Sequence, residues 1–333
     1  MATALPQAPD RTVEIVRQWG GVTTDAILDP TNQRFFAPGI EGVVGYRIES
    51  GRIVVFGEPA CDPSVLPSLI HSFHRFAAGQ SLRIVYIAVS KPFVDWLRYQ
   101  FGGMSVAFGR QLLLDPNVDP QGNTGEYASL LRRKVRRALK EGAVVSEYKG
   151  GDDRLKQSIE DVGRRWLEAR SGPQIHYSHI RLFDAPEGKR WLYATVGEEV
   201  VATLTMSAIE QRGGCLLNHL MVAPGAPSGL SELLIVEALG RLDPTKVHWA
   251  TAGVVTAQEL SDFSGFGRLS RAAASAVFAS TRQSLHLDGR YKFWQKFAPE
   301  EIPSYLWIDG KRVRARDFIG LFRALNVSSS QPQ

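Results

Sequence analysis

The chain carries only two cysteines, Cys61 and Cys215, among 333 residues. They stand too far apart and too alone to form a disulfide framework or a metal-ligand spacing, so neither a stapled secreted scaffold nor a structural zinc site is expected. They read instead as small buried residues in a reducing compartment. Long hydrophobic runs are missing as well. The longest small-apolar stretch, 272–279, falls far short of the ~20 residues that a membrane span needs. The first ten residues, Met-Ala-Thr-Ala-Leu-Pro-Gln-Ala-Pro-Asp, have no basic n-region and no apolar h-region, and read as a loose arm. A soluble, cytoplasmic protein is expected, with any membrane contact peripheral. Excess charge of one sign is also modest. A net charge of +5 is a weak signal by itself, so the positions of the cations matter more than their number.

What is present is enough apolar material for real cores. Hydrophobic residues make up 44% of the chain and charged residues 22%, a balance that argues against disorder. The length exceeds one typical domain. Positive charge gathers in two places, Lys311, Arg312, Arg314 and Arg316, and the stretch 129–142, Ser-Leu-Leu-Arg-Arg-Lys-Val-Arg-Arg-Ala-Leu-Lys-Glu-Gly. The latter has no Pro and no internal Gly, and Gly142 stands where a C-cap glycine belongs. Leu131, Val135, Ala138 and Leu139 recur at helical spacing and are expected to form its buried stripe. Arg132, Arg136 and Lys140 fall four apart, as do Arg133 and Arg137, which predicts a dense cationic face suited to a polyanion.

Two similar patterns flank this helix. The first runs from a helix at 11–20 into a hairpin at 42–49 and 52–56, turned at Ser50-Gly51. A helix at 64–78, a strand at 82–89, a helix at 91–101 and a strand at 105–114 complete it. The second has a helix at 152–170, strands at 191–195, 200–209 and 214–222, a Gly/Pro loop at 223–229 and a helix at 230–242. A strand at 247–252 follows, then a mostly helical region at 255–281 and a last strand at 305–308. Neither pattern shows the strict strand–helix alternation of a doubly wound sheet. The order is similar to the α+β layout of GNAT-type acyltransferases, in which a ligand enters where two central strands splay. The expected organisation is two tandem GNAT-like domains, 1–120 and 146–325, joined by a linker at 121–145 that holds the basic helix. Residues 326–333 are expected to be a disordered tail.

Three places carry candidate chemistry. The loop 223–229, with Gly225 and Gly229, opens a helix N-terminus, where free backbone N–H groups favour an anion, although Pro227 removes one donor. On the preceding strand, Asn218 and His219 alternate, so only one is expected to face a cleft, and His219 could handle a proton. The stretch 285–305 interleaves Arg290, Lys292 and Lys296 with Tyr291, Phe293, Trp294 and Phe297. Cations beside aromatics can hold a phosphate and stack a base, and a fixed ammonium can stabilise an oxyanion.

Taken together and in order, four features resemble the C-terminal domain of the phosphatidylglycerol lysyltransferases, the aminoacyl-tRNA-dependent multiple-peptide-resistance-factor family. They are the basic helix, Arg-Trp-Leu at 165–167, the Leu-Met strand running into the loop at 220–229, and Phe-Trp-Gln-Lys-Phe-Ala-Pro-Glu at 293–300. The resemblance spans about 35–310. It implies an aminoacyl-tRNA donor and no ATP, metal or other cofactor, because the charged ester already stores the driving force. It also implies that Lys296 lies at the transfer site and that Arg132, Arg133, Arg136, Arg137 and Lys140 meet the tRNA acceptor stem. Arg290 would share the electrostatic work with Lys296, His219 or Asp288 would handle the proton, and Asn218, Gly225, Gly229 and Tyr291 would contact substrate. Where the family usually has Asp-Leu-Met-Arg, this chain has His219-Leu220-Met221-Val222. The family's membrane-embedded flippase half is not in the sequence. The expected acceptor is therefore a small-molecule amine, hydroxylamine or hydroxyl, as in the soluble branch typified by the seryl transferase of valanimycin biosynthesis. A membrane lipid such as phosphatidylglycerol is the alternative acceptor, and acyl-CoA-dependent N-acyl transfer the alternative chemistry.

Overall fold

The computed structural model describes residues 9–169, 181–285 and 287–325, so the expected tail at 326–333 lies outside the described residues. The first segment begins with helices α1 (Pro9–Trp19) and α2 (Thr24–Leu28), followed by the short strand β1 (Gln33–Phe35). The predicted hairpin is β2 (Gly42–Glu49) and β3 (Arg52–Phe56), with a two-residue strand β4 (Ala60–Cys61) beyond it. Then come α3 (Leu66–Gly79), β5 (Arg83–Val89), α4 (Lys91–Phe101) and β6 (Met104–Leu114). Ser90 caps α4 by accepting from the Phe93 N–H, and Pro92 sits in the first turn, where its missing donor does no harm.

The basic helix α5 (Glu126–Lys140) leads into β7 (Ala143–Tyr148) and α6 (Asp153–Glu168). Strands β8 (Lys189–Val196), β9 (Glu199–Ile209) and β10 (Gly214–Val222) form a meander before α7 (Leu230–Gly240). The chain then runs through β11 (Trp249–Ser264), α8 (Arg268–Ser284), α9 (Asp288–Trp294), β12 (Glu300–Ile308) and α10 (Ala315–Ala324). The helix expected from 255 starts only at Arg268. Residues 254–264 continue β11 instead, because β6 offers them an antiparallel partner down to Ser105.

All strands share one sheet, ordered β1-β2-β3-β5-β12-β6-β11-β10-β9-β8-β7, with β4 attached to β2. Each half is an antiparallel run that ends in a parallel pair bridged by a helix: β3–α3–β5 in the first and β10–α7–β11 in the second. This is the mixed α+β class expected. β12, late in the chain, lies between β5 and β6 and pairs antiparallel with both.

Strand alternation sets which helices cover which face. On β5, Ile84 and Tyr86 pack with α3 and α4, whereas Val85 and Ile87 pack with α8 and α10 on the other face. In the second half, Leu192 and Ala194 of β8 pack with α5 and α7, while Tyr193 meets α6 on the opposite face. Cys61 and Cys215 are both buried and unpaired, and burial pushes each thiol up to about 12, which removes them as nucleophiles near neutral pH.

Candidate active site

The parallel pair β10–β11 is short. It holds register only over Gly214–Leu216 and Trp249–Thr251, and both strands then bend. In β10 the register against β9 slips between Asn218 and Met221, with His219 at φ +34°. In β11 the break against β6 falls between Thr251 and Val254, with Gly253 at φ +80°. Each irregularity inserts extra residues and turns its strand away from the other. The strands part, and a cavity of about 690 Å³ opens between them.

The cavity is lined from both faces of the sheet. Ser231 of α7 and Arg290, Phe293 and Trp294 of α9 border one side. Trp166 of α6, with Val277 and Phe278 of α8 and Phe318 and Phe322 of α10, border the other. Most of the wall is hydrocarbon. The polar groups include Asn218, His219, Ser231, Thr256 and Arg290, and Arg290 also donates to the Ala252 carbonyl at 3.0 Å, which ties α9 to β11.

Asn218 and His219 both line the cavity, although alternation assigns them to opposite faces. The bulge is the reason. It reverses the alternation, so that Met221 packs with α6 although Leu217, four residues earlier, packs with α7. The Asn218 carboxamide oxygen accepts from the His219 N–H at 3.0 Å, which supports the irregular turn.

The other expected site residues lie elsewhere. Lys296 does not line the cavity; its ammonium group is buried against the Glu232 carboxylate of α7 and sits 4.0 Å from the centroid of the Phe293 ring. Tyr291 points away too, donating from its hydroxyl to Glu301 at 2.6 Å, and this bond, with burial, raises the phenol to about 12. The Asp288 side chain lies outside the described residues. Gly225 is in open surroundings with φ +80°. Gly229 has a packing role: a Cβ there would collide with the Lys134 carbonyl of α5.

That contact joins the basic helix to the cavity rim. Lys134 donates to the Ser228 hydroxyl at 2.7 Å, three residues before Ser231. The buried stripe of α5 is Ala128, Leu131, Val135 and Ala138. Leu139, expected in that stripe, is 53% exposed, because Ala138 already fills the contact with α7. The cations differ in availability. Arg132 is occupied, donating to the carbonyls of Gln121 at 2.6 Å and Asn123 at 2.9 Å. Arg136 donates to the Arg132 carbonyl at 3.3 Å, and Arg137 pairs with Glu141 at 2.9 Å on the surface. Arg133 and Lys140 are exposed and make no ion pair among the described residues.

Sequence reasoning missed Trp166, Ser231 and the aromatic residues of α10. Ser231 carried a signal, since it sits in the first turn after the Gly229 cap. The amphipathic pattern of 315–324 was likewise readable as a helix, but its place against the cavity was not. No group of three or more His, Cys, Asp or Glu among the described residues could hold a metal ion.

Comparison with known proteins agrees with this architecture. The chain is 22% identical over 284 residues to the lysylphosphatidylglycerol biosynthesis bifunctional protein LysX of Rhodococcus opacus (strain B4), a match covering 83% of this chain and 25% of that protein. It is 24% identical over 102 residues to the phosphatidylglycerol lysyltransferase of Staphylococcus epidermidis, covering 30% of this chain and 12% of that one. The chain thus spans about a quarter or less of these curated relatives. Among solved structures, L-PGS from Bacillus licheniformis superposes with a TM-score of 0.78 at 15% identity, covering 96% of each chain. FemX superposes with a TM-score of 0.52 at 9% identity, covering 92% of this chain and 97% of that one. At such identities the two structures establish the fold alone. Residues 22–308 match the family described as phosphatidylglycerol lysyltransferase, C-terminal. The chain belongs to that family.

Proposed function

We propose that this chain is an aminoacyl-tRNA-dependent aminoacyltransferase. The observation that carries this reading is the cavity between β10 and β11, with the cationic helix α5 docked on the loop at its rim. Arg133 and Lys140, with Arg136 and Arg137, would meet the acceptor arm of the tRNA, while the aminoacyl ester enters beside Ser231 and Arg290. The acceptor's hydroxyl or amine attacks the ester carbonyl carbon, a new C–O or C–N bond forms, and the ester bond to the ribose oxygen breaks. The proton lost by the acceptor ends on that ribose oxygen, and His219 stands where it could pass it on. Arg290 would stabilise the oxyanion of the tetrahedral intermediate. Proximity supplies much of the rest, because the donor is already activated.

The cavity wall bears on the acceptor. Leu, Val and Phe side chains favour an acceptor with a hydrocarbon portion. Aminoacylation of a membrane lipid such as phosphatidylglycerol therefore fits better than transfer to a small polar amine, hydroxylamine or hydroxyl compound. Lys296 reads as an anchor between α7 and the turn after α9 rather than as a reacting group. Acyl-CoA chemistry fits less well: the loop ends with Gly229 against the Lys134 carbonyl and Ser228 bonded to the Lys134 ammonium, and Pro224 and Pro227 remove backbone donors that a pyrophosphate would use.

The test is transfer from a pool of radiolabelled aminoacyl-tRNAs, offered phospholipid vesicles in one arm and a small-molecule extract in the other, with and without RNase. Label in the lipid fraction that RNase abolishes is expected. Product that resists RNase would rule the reading out, and a thermal shift with acetyl-CoA would favour the acyl-CoA alternative. Affinity for tRNA should also fall steeply with salt, with Arg133→Glu and Lys140→Glu each flattening the log–log slope by about one unit.

A further inference from the structure

The cavity between β10 and β11 is poor in acid. Among the described residues, none that lines it is Asp or Glu. Three lining residues do have an acidic neighbour in the chain, and each neighbour is directed elsewhere. Glu232, next to Ser231, is buried against the Lys296 ammonium group. Glu259, next to Leu260, is exposed on β11. Asp317, next to Phe318, is buried against Arg52, with Arg83 at 3.4 Å. Adjacent residues of a helix or a strand point in different directions, so a residue on the wall turns its neighbour away from it. The side chains of Asp25 and Asp288, next to Ala26 and Leu287, lie outside the described residues.

The charge on the wall has the other sign. Arg282 of α8 and Arg290 of α9 both border the cavity, and Arg290 is fixed by its bond to the Ala252 carbonyl. Around them the wall is largely hydrocarbon, with Leu216 of β10 and Val254 of β11 near its middle strands.

We infer that the amino acid delivered to this cavity has an uncharged side chain. The inference rests on the aminoacyl-tRNA reading above and narrows its donor, in a family named for lysine, a cation. A lysyl side chain, with a pKa of about 10.4, stays protonated near neutral pH. Entering the cavity strips water from its ammonium group, and two guanidinium groups repel it where a carboxylate partner is needed. The α-amino group does not discriminate in this way. Every aminoacyl donor carries it, and with a pKa of about 8 it can enter neutral, with the Ser231 and Thr256 hydroxyls within the cavity to accept from it. An acidic side chain meets a different obstacle: it would take the Arg290 guanidinium that the tetrahedral oxyanion needs. An uncharged side chain avoids both penalties and gains apolar contact with the wall.

The experiment uses stable donor analogues, in which alanine, leucine, lysine or aspartate is held in amide linkage on 3′-amino-3′-deoxyadenosine, so that no acceptor is required. Calorimetric titration of the full chain near neutral pH is expected to show the alanyl and leucyl analogues binding about tenfold or more tighter than the lysyl and aspartyl ones. Transfer from tRNAs charged singly with the same amino acids should follow the same order. A carboxylate added to the wall should change that order. Ser231→Asp adds one in the first turn of α7, where a helix favours negative charge, and Thr256→Asp adds one on β11. Each should tighten the lysyl analogue about tenfold and weaken the aspartyl one. A lysyl or aspartyl analogue that binds the parent chain as tightly as the alanyl one would overturn the inference and leave the aminoacyltransferase reading standing. Lysyl affinity that responds to neither added carboxylate, in variants with unchanged circular dichroism, would overturn it as well. If no analogue binds and no charged tRNA serves as donor, that reading falls and the inference falls with it.

Discussion

The two halves contain the same strand–helix–strand unit, and only one of them opens. In the first half β3 and β5 stay paired over Arg52–Phe56 and Arg83–Ile87. The pair is then held beyond its last rung. The Gly57 N–H donates to the Ile87 carbonyl at 2.7 Å, and the Ser90 N–H donates to the Glu58 carboxylate at 2.9 Å. Gly57 allows this because its φ is +76° and because a Cβ there would collide with the Thr23 hydroxyl. In the second half β10 and β11 share three rungs, and the irregularities at His219 and Gly253 then carry them apart. A cavity is thus the result of where two strands stop pairing, and a closed copy of the same unit serves as its wall through Ile87.

Filling the open pair should have the largest effect. Ser231→Trp places an indole in the gap and is expected to lower transfer by about 10²-fold or more with little change in the unfolding midpoint. Undiminished turnover would mean that the chemistry happens elsewhere. Next is the anchor of the open half. Lys296→Met leaves the Glu232 carboxylate buried alone and should cost about 3–5 kcal/mol in urea unfolding, most of it regained in Lys296→Met/Glu232→Met. Recovery of transfer in the double variant would identify Lys296 as an anchor, whereas a stable but inactive double variant would make it a reacting group.

The closed half predicts a pH effect. His74 is stacked on Phe101 with ring centroids 3.7 Å apart, and burial, with a smaller contribution from the neighbouring His71, lowers its pKa from 6.5 to about 4. Between those values the unfolded chain binds the proton and the folded chain does not. Stability from this group is therefore whole above pH 6.5 and is lost as pH falls towards 4, by up to about 3 kcal/mol. His74→Phe should flatten the stability profile in that window. The smallest effect is expected from unpicking the clamp: Gly57→Ala should cost about 1–3 kcal/mol, and thermal unfolding would register it. A neutral result would show that the closed pair does not depend on its last rung.

Much of this comparison was open to reading from residues alone. Alternation in 42–56 and the Ser-Gly turn made the first hairpin plain, and the apolar spacing in 129–142 placed the basic helix. The basic helix erred only at Leu139, where periodicity allows two neighbours to share a stripe but the contact with α7 has room for Ala138. What stayed hidden depends on partners distant in the chain. Residues 254–264 have no local reason to be extended, and β6 decides it. His219 has no sequence mark of a bulge, so alternation misassigns one member of the Asn218–His219 pair. The pairing of Lys296 with Glu232, 64 residues earlier, likewise has no mark in the sequence.

The position of β12 has a consequence for how the chain is made. A ribosome releases β5 and β6 first, and the strand that joins them emerges only after 115–299 have been made. Until then both carry unsatisfied edges, a template for unwanted pairing with other chains. The nascent first half must therefore wait, incomplete, while the second half is synthesised. Its closure couples the two halves into one cooperative event once β12 has emerged, which makes 300–308 a place where truncation or slow release would favour aggregation over folding.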